Sequence, residues 1–112
     1  MIGTKALTLA VLLTAAGLSA PAAAGSTPLR SHVVRGDIRQ LERAIDRADY
    51  RDTISEREAA RLEYRTADLR HDFRHQNANG LTRAETIKLE RRAQNIRTDL
   101  RRDRQDRIRR AR

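Results

Sequence analysis

Two stretches of equal length decide the fold: Ile54–Phe73, ISEREAARLEYRTADLRHDF, and Leu81–Leu100, LTRAETIKLERRAQNIRTDL. In the first, Ala59, Leu62, Thr66, Leu69 and Phe73 recur in alternating steps of three and four. In the second, Thr82, Leu89, Ala93, Ile96 and Leu100 follow the same seam. That period sets the apolar residues on one side of an α-helix and leaves charge around the remainder. Each stretch also opens with a helix-start signal, Ser55-Glu56-Arg57-Glu58 and Thr82-Arg83-Ala84-Glu85. Both read as capping boxes, with Ser55 and Thr82 accepting from a first-turn N–H while Glu58 and Glu85 reach back to the cap's own N–H.

The two stretches align as an internal repeat offset by 27 residues, 54–73 on 81–100. Ile54 matches Leu81, Ser55 matches Thr82, Glu58 matches Glu85 and Leu62 matches Leu89. The match runs on through Arg65/Arg92, Leu69/Ile96, Asp72/Asp99 and Phe73/Leu100. Between them lies Asn77-Ala78-Asn79-Gly80, whose Asn and Gly tolerate positive φ and end helices. Residues 55–76 and 82–110 are therefore expected as an antiparallel hairpin. Ile38, Leu41, Ile45 and Ala48 predict a further helix over Asp37–Arg51, packed alongside after a weaker break at Asp52-Thr53. No segment alternates with the period of two that a strand needs. The expected class is all-α, a small three-helix arrangement around a hairpin, with a long basic C-terminal helix.

Outward from this core the chain changes character. Beyond Leu100 the seam stops and Arg101, Arg102, Arg104, Arg107, Arg109, Arg110 and Arg112 dominate, with Asp103 and Asp106 between them. Asp103 to Arg107 and Asp106 to Arg110 are acid-before-base pairs at i,i+4, which support a helical extension; a frayed basic tail is the other reading. Residues 25–36 contain Gly, Ser, Thr and Pro without a period and read as a disordered leader. Residues 1–24 combine a lysine-bearing start, the apolar run Ala6–Ala20, Pro21 and the small-residue triplet Ala22-Ala23-Ala24, which is the pattern of a cleaved secretory signal peptide. The expected location is periplasmic or secreted, from a bacterium.

Composition sets limits on function. The chain has 112 residues, 24 Lys+Arg against 15 Asp+Glu, a net charge of +9 and no Cys. Past residue 24 few large apolar side chains remain, too few for a dinucleotide-binding domain or an enclosed active site. The lack of Cys removes disulfides, thiol nucleophiles and thiolate metal ligands. No nucleophile elbow, phosphate loop or apolar carboxylate pair is present, so no enzyme and no cofactor is expected.

Three binding chemistries remain to be weighed. His71 and His75 stand four apart with Asp68 and Asp72 beside them, a spacing able to chelate Zn²⁺ or Cu²⁺, but no third histidine or cysteine completes the set. Asn77–Glu85 looks like the second half of a calcium loop. Counting from Gly80, however, His75 falls at the first ligand and Thr86 at the twelfth, so the register fails. Nucleic acid is disfavoured by the interspersed acids and by only three aromatic residues, Tyr50, Tyr64 and Phe73. An anionic lipid surface suits an exported polybasic chain better.

At the two capping boxes, Ile54-Ser55-Glu56-Arg57-Glu58 and Leu81-Thr82-Arg83-Ala84-Glu85, the sequence resembles the paired LTxxQ motifs of the small periplasmic Spy/CpxP-like helical proteins. Here Glu replaces Gln at 58 and 85, Ile-Ser replaces Leu-Thr in the first copy, and the copies lie closer together than in that family. The resemblance implies an exported helical protein that dimerises into a cradle and serves as an ATP-independent chaperone or envelope-stress regulator; some relatives bind zinc. The expected function is thus non-catalytic: an interaction or chaperone-like protein, working on other envelope proteins or unfolded polypeptides. The alternative is a module binding Zn/Cu or anionic lipid. A homodimer is expected because a lone hairpin leaves an apolar edge of its seam exposed, and Tyr64, Ile87 and Ile108, off the seam, add to that patch.

Overall fold

The computed structural model describes residues 27–111; the signal-peptide reading of residues 1–24 and Arg112 lie outside them. Three α-helices follow one another: α1 Thr27–Tyr50, α2 Glu56–Asn77 and α3 Arg83–Ala111. Among the described residues there is no strand. The all-α class and the long C-terminal helix are as expected. Contacts between the ends fix the directions. The Arg30 Nε donates to the Leu81 carbonyl and the Ser31 hydroxyl donates to Asn77 Oδ1. The start of α1 therefore lies at the α2–α3 turn, making α1 antiparallel to α2 and parallel to α3.

The seams meet in one cluster. Buried on α2 are Ala59, Leu62, Thr66, Leu69 and Phe73, and on α3 Thr86, Leu89, Ala93, Ile96, Leu100 and Asp103. The first five of α3 each lie 27 residues after their α2 counterparts. Thr86 takes the seam place expected for Thr82, because Thr82 is spent as the exposed cap of α3. From α1 come Val34, Ile38, Leu41, Ile45 and Ala48, all at most 5% exposed, and Ile54 and Leu81 close the two turns. Leu62 and Leu69 are fully buried. The seam is closed within one chain, so the open edge on which a homodimer was expected is covered by α1.

Helix α1 begins ten residues before the expected Asp37, and the leader expected over 25–36 is helical from Thr27 onward. The reason is periodicity. Ser31 and Val34 extend the stripe of Ile38, Leu41, Ile45 and Ala48 backward in the same steps, and both are buried. Pro28 is no obstacle in a first turn, where its missing N–H has no helical acceptor to serve.

The helix ends follow their local chemistry. At Ser55 both halves of the capping box form: the Glu58 N–H donates to Ser55 Oγ at 3.1 Å and the Ser55 N–H to Glu58 Oε1 at 2.8 Å. Thr82 and Glu85 repeat this at 3.1 and 2.9 Å. Helix α1 stops in a Schellman turn, with Asp52 at φ 56°, the Thr53 N–H on the Ala48 carbonyl at 2.9 Å and the Asp52 N–H on the Asp49 carbonyl at 3.1 Å. The α2–α3 turn needs Gly80 at φ 86°.

Two glycines make a paired test. Gly36 sits inside α1, and a Cβ added there would meet nothing within 4 Å. Gly36→Ala should therefore raise stability by about 0.5–1 kcal/mol through the unfolded chain's lost freedom. Gly80→Ala should lower it by about 1 kcal/mol or more, because an L side chain strains at that φ. Thermal unfolding followed by circular dichroism reads both, and opposite signs are the expected result.

Candidate functional site

The surface of the bundle is organised by arginine, and the arginines fall into two sets. The first set is paired across the α2–α3 face. Arg65 Nη1 reaches Asp99 at 2.5 Å and Arg92 Nη1 reaches Asp72 at 2.6 Å. These two bridges exchange under the 27-residue offset, since Arg92 is 27 after Arg65 and Asp99 is 27 after Asp72. Arg92 also holds Asp68 at 3.2 Å, and Arg61 holds Asp103 at 3.2 Å. On the α1–α2 face Arg70 pairs with Glu42. Such partly exposed pairs each contribute about 0–1 kcal/mol, so they set register more than they supply stability.

Asp103 departs from the surface pattern. It occupies the next seam position after Leu100 and is only 7% exposed. Burial, then the neighbouring Glu58 carboxylate, pushes its pKa above the usual aspartate value, with Arg61 opposing. Glu58 shifts the other way: the backbone N–H of Ser55 favours its ionised form and lowers its pKa. Asp103 is thus the buried partner of Arg61 in an ion pair rather than a solvated carboxylate. The expected i,i+4 pairs are also replaced. Asp103 turns to Arg61 on α2, Asp106 pairs with Arg109 at 3.7 Å, and Arg110 reaches Glu58 at 3.7 Å. Of the two readings of 101–112, the structure has a helix through Ala111.

The candidate metal ligands are not brought to a common point with other donors. His71 and His75 are both exposed on α2, while the flanking Asp68 and Asp72 are held by Arg92. Among the described residues no group of three His, Cys, Asp or Glu is placed to hold a metal ion. The calcium-like loop is likewise spent on structure: Glu85 caps α3 through Thr82, and Asn77 Oδ1 accepts from Ser31.

A second set of arginines, Arg47, Arg51 and Arg104, has no ion-pair partner among the described residues, and sequence reasoning missed where it converges. Arg47, Arg51 and Arg104 line one open hollow of about 280 Å³ between α1 and α3, with Ala44, Ala48 and Thr53. Only Arg104 belongs to the expected basic tail. A signal was available in Arg35, Arg39, Arg43, Arg47 and Arg51, five arginines at successive i+4 positions. Arg35 is the first of that row and stacks over the Phe73 ring at 5.5 Å from its centroid.

No family model matches this chain, and no match was found for it among curated proteins or solved structures.

The opposed shifts at Asp103 and Glu58 predict opposite pH behaviour. A raised folded pKa means that ionised Asp103 opposes folding above that value and ceases to as pH falls through it. Asp103→Asn should therefore raise the melting temperature at pH 7, and the gain should vanish near pH 3. Glu58 stabilises above its unfolded value, and that contribution is lost on acidification. Glu58→Ala should cost about 1 kcal/mol at pH 7 and less at pH 3. Thermal melts of both variants across this range check the signs.

Proposed function

We propose that this protein is a non-catalytic interaction protein of the bacterial envelope, released from its signal peptide at residue 24. It holds exposed, acidic segments of other polypeptides in a chaperone-like manner. The observation that carries this reading is the division of the surface. The large core residues are consumed inside the bundle, while unpaired arginines and scattered half-exposed apolar side chains remain outside. Leu29 and Val33 lie one turn apart on α1, and Tyr64 and Ile87 are 76% and 49% exposed on α2 and α3. Such a surface attracts acidic chains by charge and grips them weakly through apolar contact. No helix of the described residues is long and apolar enough to cross a membrane.

The paired bridges and matching seams at a 27-residue offset support the reading of α2 and α3 as copies of one helical unit, each opened by a capping box. The LTxxQ-like resemblance at those boxes agrees with this role. A homodimer would have to be built on Tyr64, Ile87 and Ile108, since the seam is not available to it. Anionic lipid binding is the second reading, favoured by the unneutralised hollow between α1 and α3.

The test is aggregation of a chemically denatured acidic client followed by light scattering. The protein should slow aggregation, more strongly at about 20 mM than at about 300 mM salt, because screening shortens the reach of its charge. Exchanging Arg101 and Arg107 for Gln should weaken the low-salt effect while leaving buried Asp103 in place. A protein without effect on the client at low salt ends this reading.

A further inference from the structure

The hollow formed by Arg47, Arg51 and Arg104 differs in charge from three other clefts along the bundle. The α2–α3 cleft beside Tyr64 contains Asp68, and the two α1–α2 clefts contain Glu42, one of them with Asp46 and Glu63 as well. The α1–α3 hollow is lined by three guanidinium side chains and by no carboxylate. None of the three is in an ion pair among the described residues, and every bridge between helices joins α2 to α1 or to α3. All three arginines are exposed to solvent, and an anion seated among them would be attracted by each of the three charges.

Local structure holds the backbone of two of these arginines in place. Arg51 is the last residue before Asp52 of the Schellman turn, and Arg47 lies one turn earlier, with the Arg51 N–H on its carbonyl at 3.0 Å. Thr53 ties the turn down twice, donating its N–H at 2.9 Å and its hydroxyl at 3.0 Å to the Ala48 carbonyl. Arg104 arrives from α3, one residue after buried Asp103, whose burial fixes the rotation of that helix. The small side chains of Ala44 and Ala48 keep the floor of the hollow low, so an anion can approach between the guanidiniums.

We propose that this hollow is a binding site for a phosphoryl group. A tetrahedral phosphate presents enough oxygens to accept from three guanidinium forks at once, whereas a carboxylate fills one fork. The ligand chemistry is that of inorganic phosphate or of a phosphomonoester lipid headgroup. The inference goes beyond the client-holding role and does not depend on it: a protein with no effect on aggregation would still show this site.

The experiment is a phosphate titration of the full chain, with ionic strength held constant by chloride, following the Nε–Hε resonances of arginine by nuclear magnetic resonance. Arg47, Arg51 and Arg104 should shift together with one saturating constant, and Arg43 and Arg83 should move little. Arg51→Ala and Arg104→Ala should each weaken phosphate about tenfold or more. Arg83→Ala, which removes the same charge elsewhere, should change it by less than about twofold. Arg51→Lys keeps the charge and loses the fork, so it should fall between. A parallel arm uses phosphatidylcholine vesicles with and without phosphatidic acid. Sedimentation with the phosphatidic acid vesicles that is lost in Arg51→Ala assigns the phosphoryl group to a lipid; saturation by free phosphate alone assigns it to a soluble one. Circular dichroism of each variant confirms its helix content, and where a variant unfolds the wild-type titration decides. Absence of a saturating shift in the wild type, or equal weakening by Arg83→Ala, overturns the site.

Discussion

Burial of one thin apolar seam on three helices is the constraint from which the remaining structure follows. The cluster holds fifteen buried apolar side chains, three of them alanines, and every larger one has to be taken out of water to offset the entropy of ordering some eighty residues. Two helices cannot do this. A hairpin of α2 and α3 covers only one side of Leu62, Leu69 and Leu89, so α1 is required as the third wall. That requirement fixes the length of α1: Val34 at its beginning and Ala48 near its end bracket the seam, and the helix extends to Thr27, where Arg30 and Ser31 fasten it to the turn.

The same scarcity explains the outside. A chain with a third of its residues charged and one seam to bury has little choice but to place its charges on the remaining faces. On the α2–α3 face the acids and arginines interlock, and the bridges Arg65–Asp99 and Arg92–Asp72 repeat at the offset of the seam itself. On the α1–α3 face they do not, because α1 brings Arg47 and Arg51 beside Arg104 of α3 with no carboxylate among them. Charge is therefore balanced along one groove and unbalanced along another. This contrast, more than the total charge of the protein, is what the proposed anion site rests on.

Much of this is written in local sequence. The caps at Ser55 and Thr82, the turn at Asn77–Gly80 and the seam through Leu62, Leu69, Leu89 and Ile96 are all short-range patterns, and the structure contains them. What escaped has physical causes. The first ten residues of α1 were obscured by Pro28 and Gly36, residues that usually mark irregular chain, although Ser31 and Val34 carried the period. Asp103 was missed because a carboxylate in a seam position has no apolar signature; its burial arises only when Arg61 of another helix comes to meet it. The convergence of Arg47, Arg51 and Arg104 is a tertiary fact joining residues half the chain apart. The aspartates beside His71 and His75 read as metal ligands until Arg92, from a different helix, is seen to hold them.

The account depends most on α1 being an integral wall of the bundle over its whole length within a single chain. Native-state hydrogen exchange, resolved by residue, measures this directly. The account predicts that the amides from Val34 to Ala48 are protected to the same free energy as those of Leu62–Leu69 and Leu89–Ile96, opening only with global unfolding and independently of protein concentration. Free exchange in α1 beside a protected α2–α3 hairpin, or protection that grows with protein concentration, would contradict it.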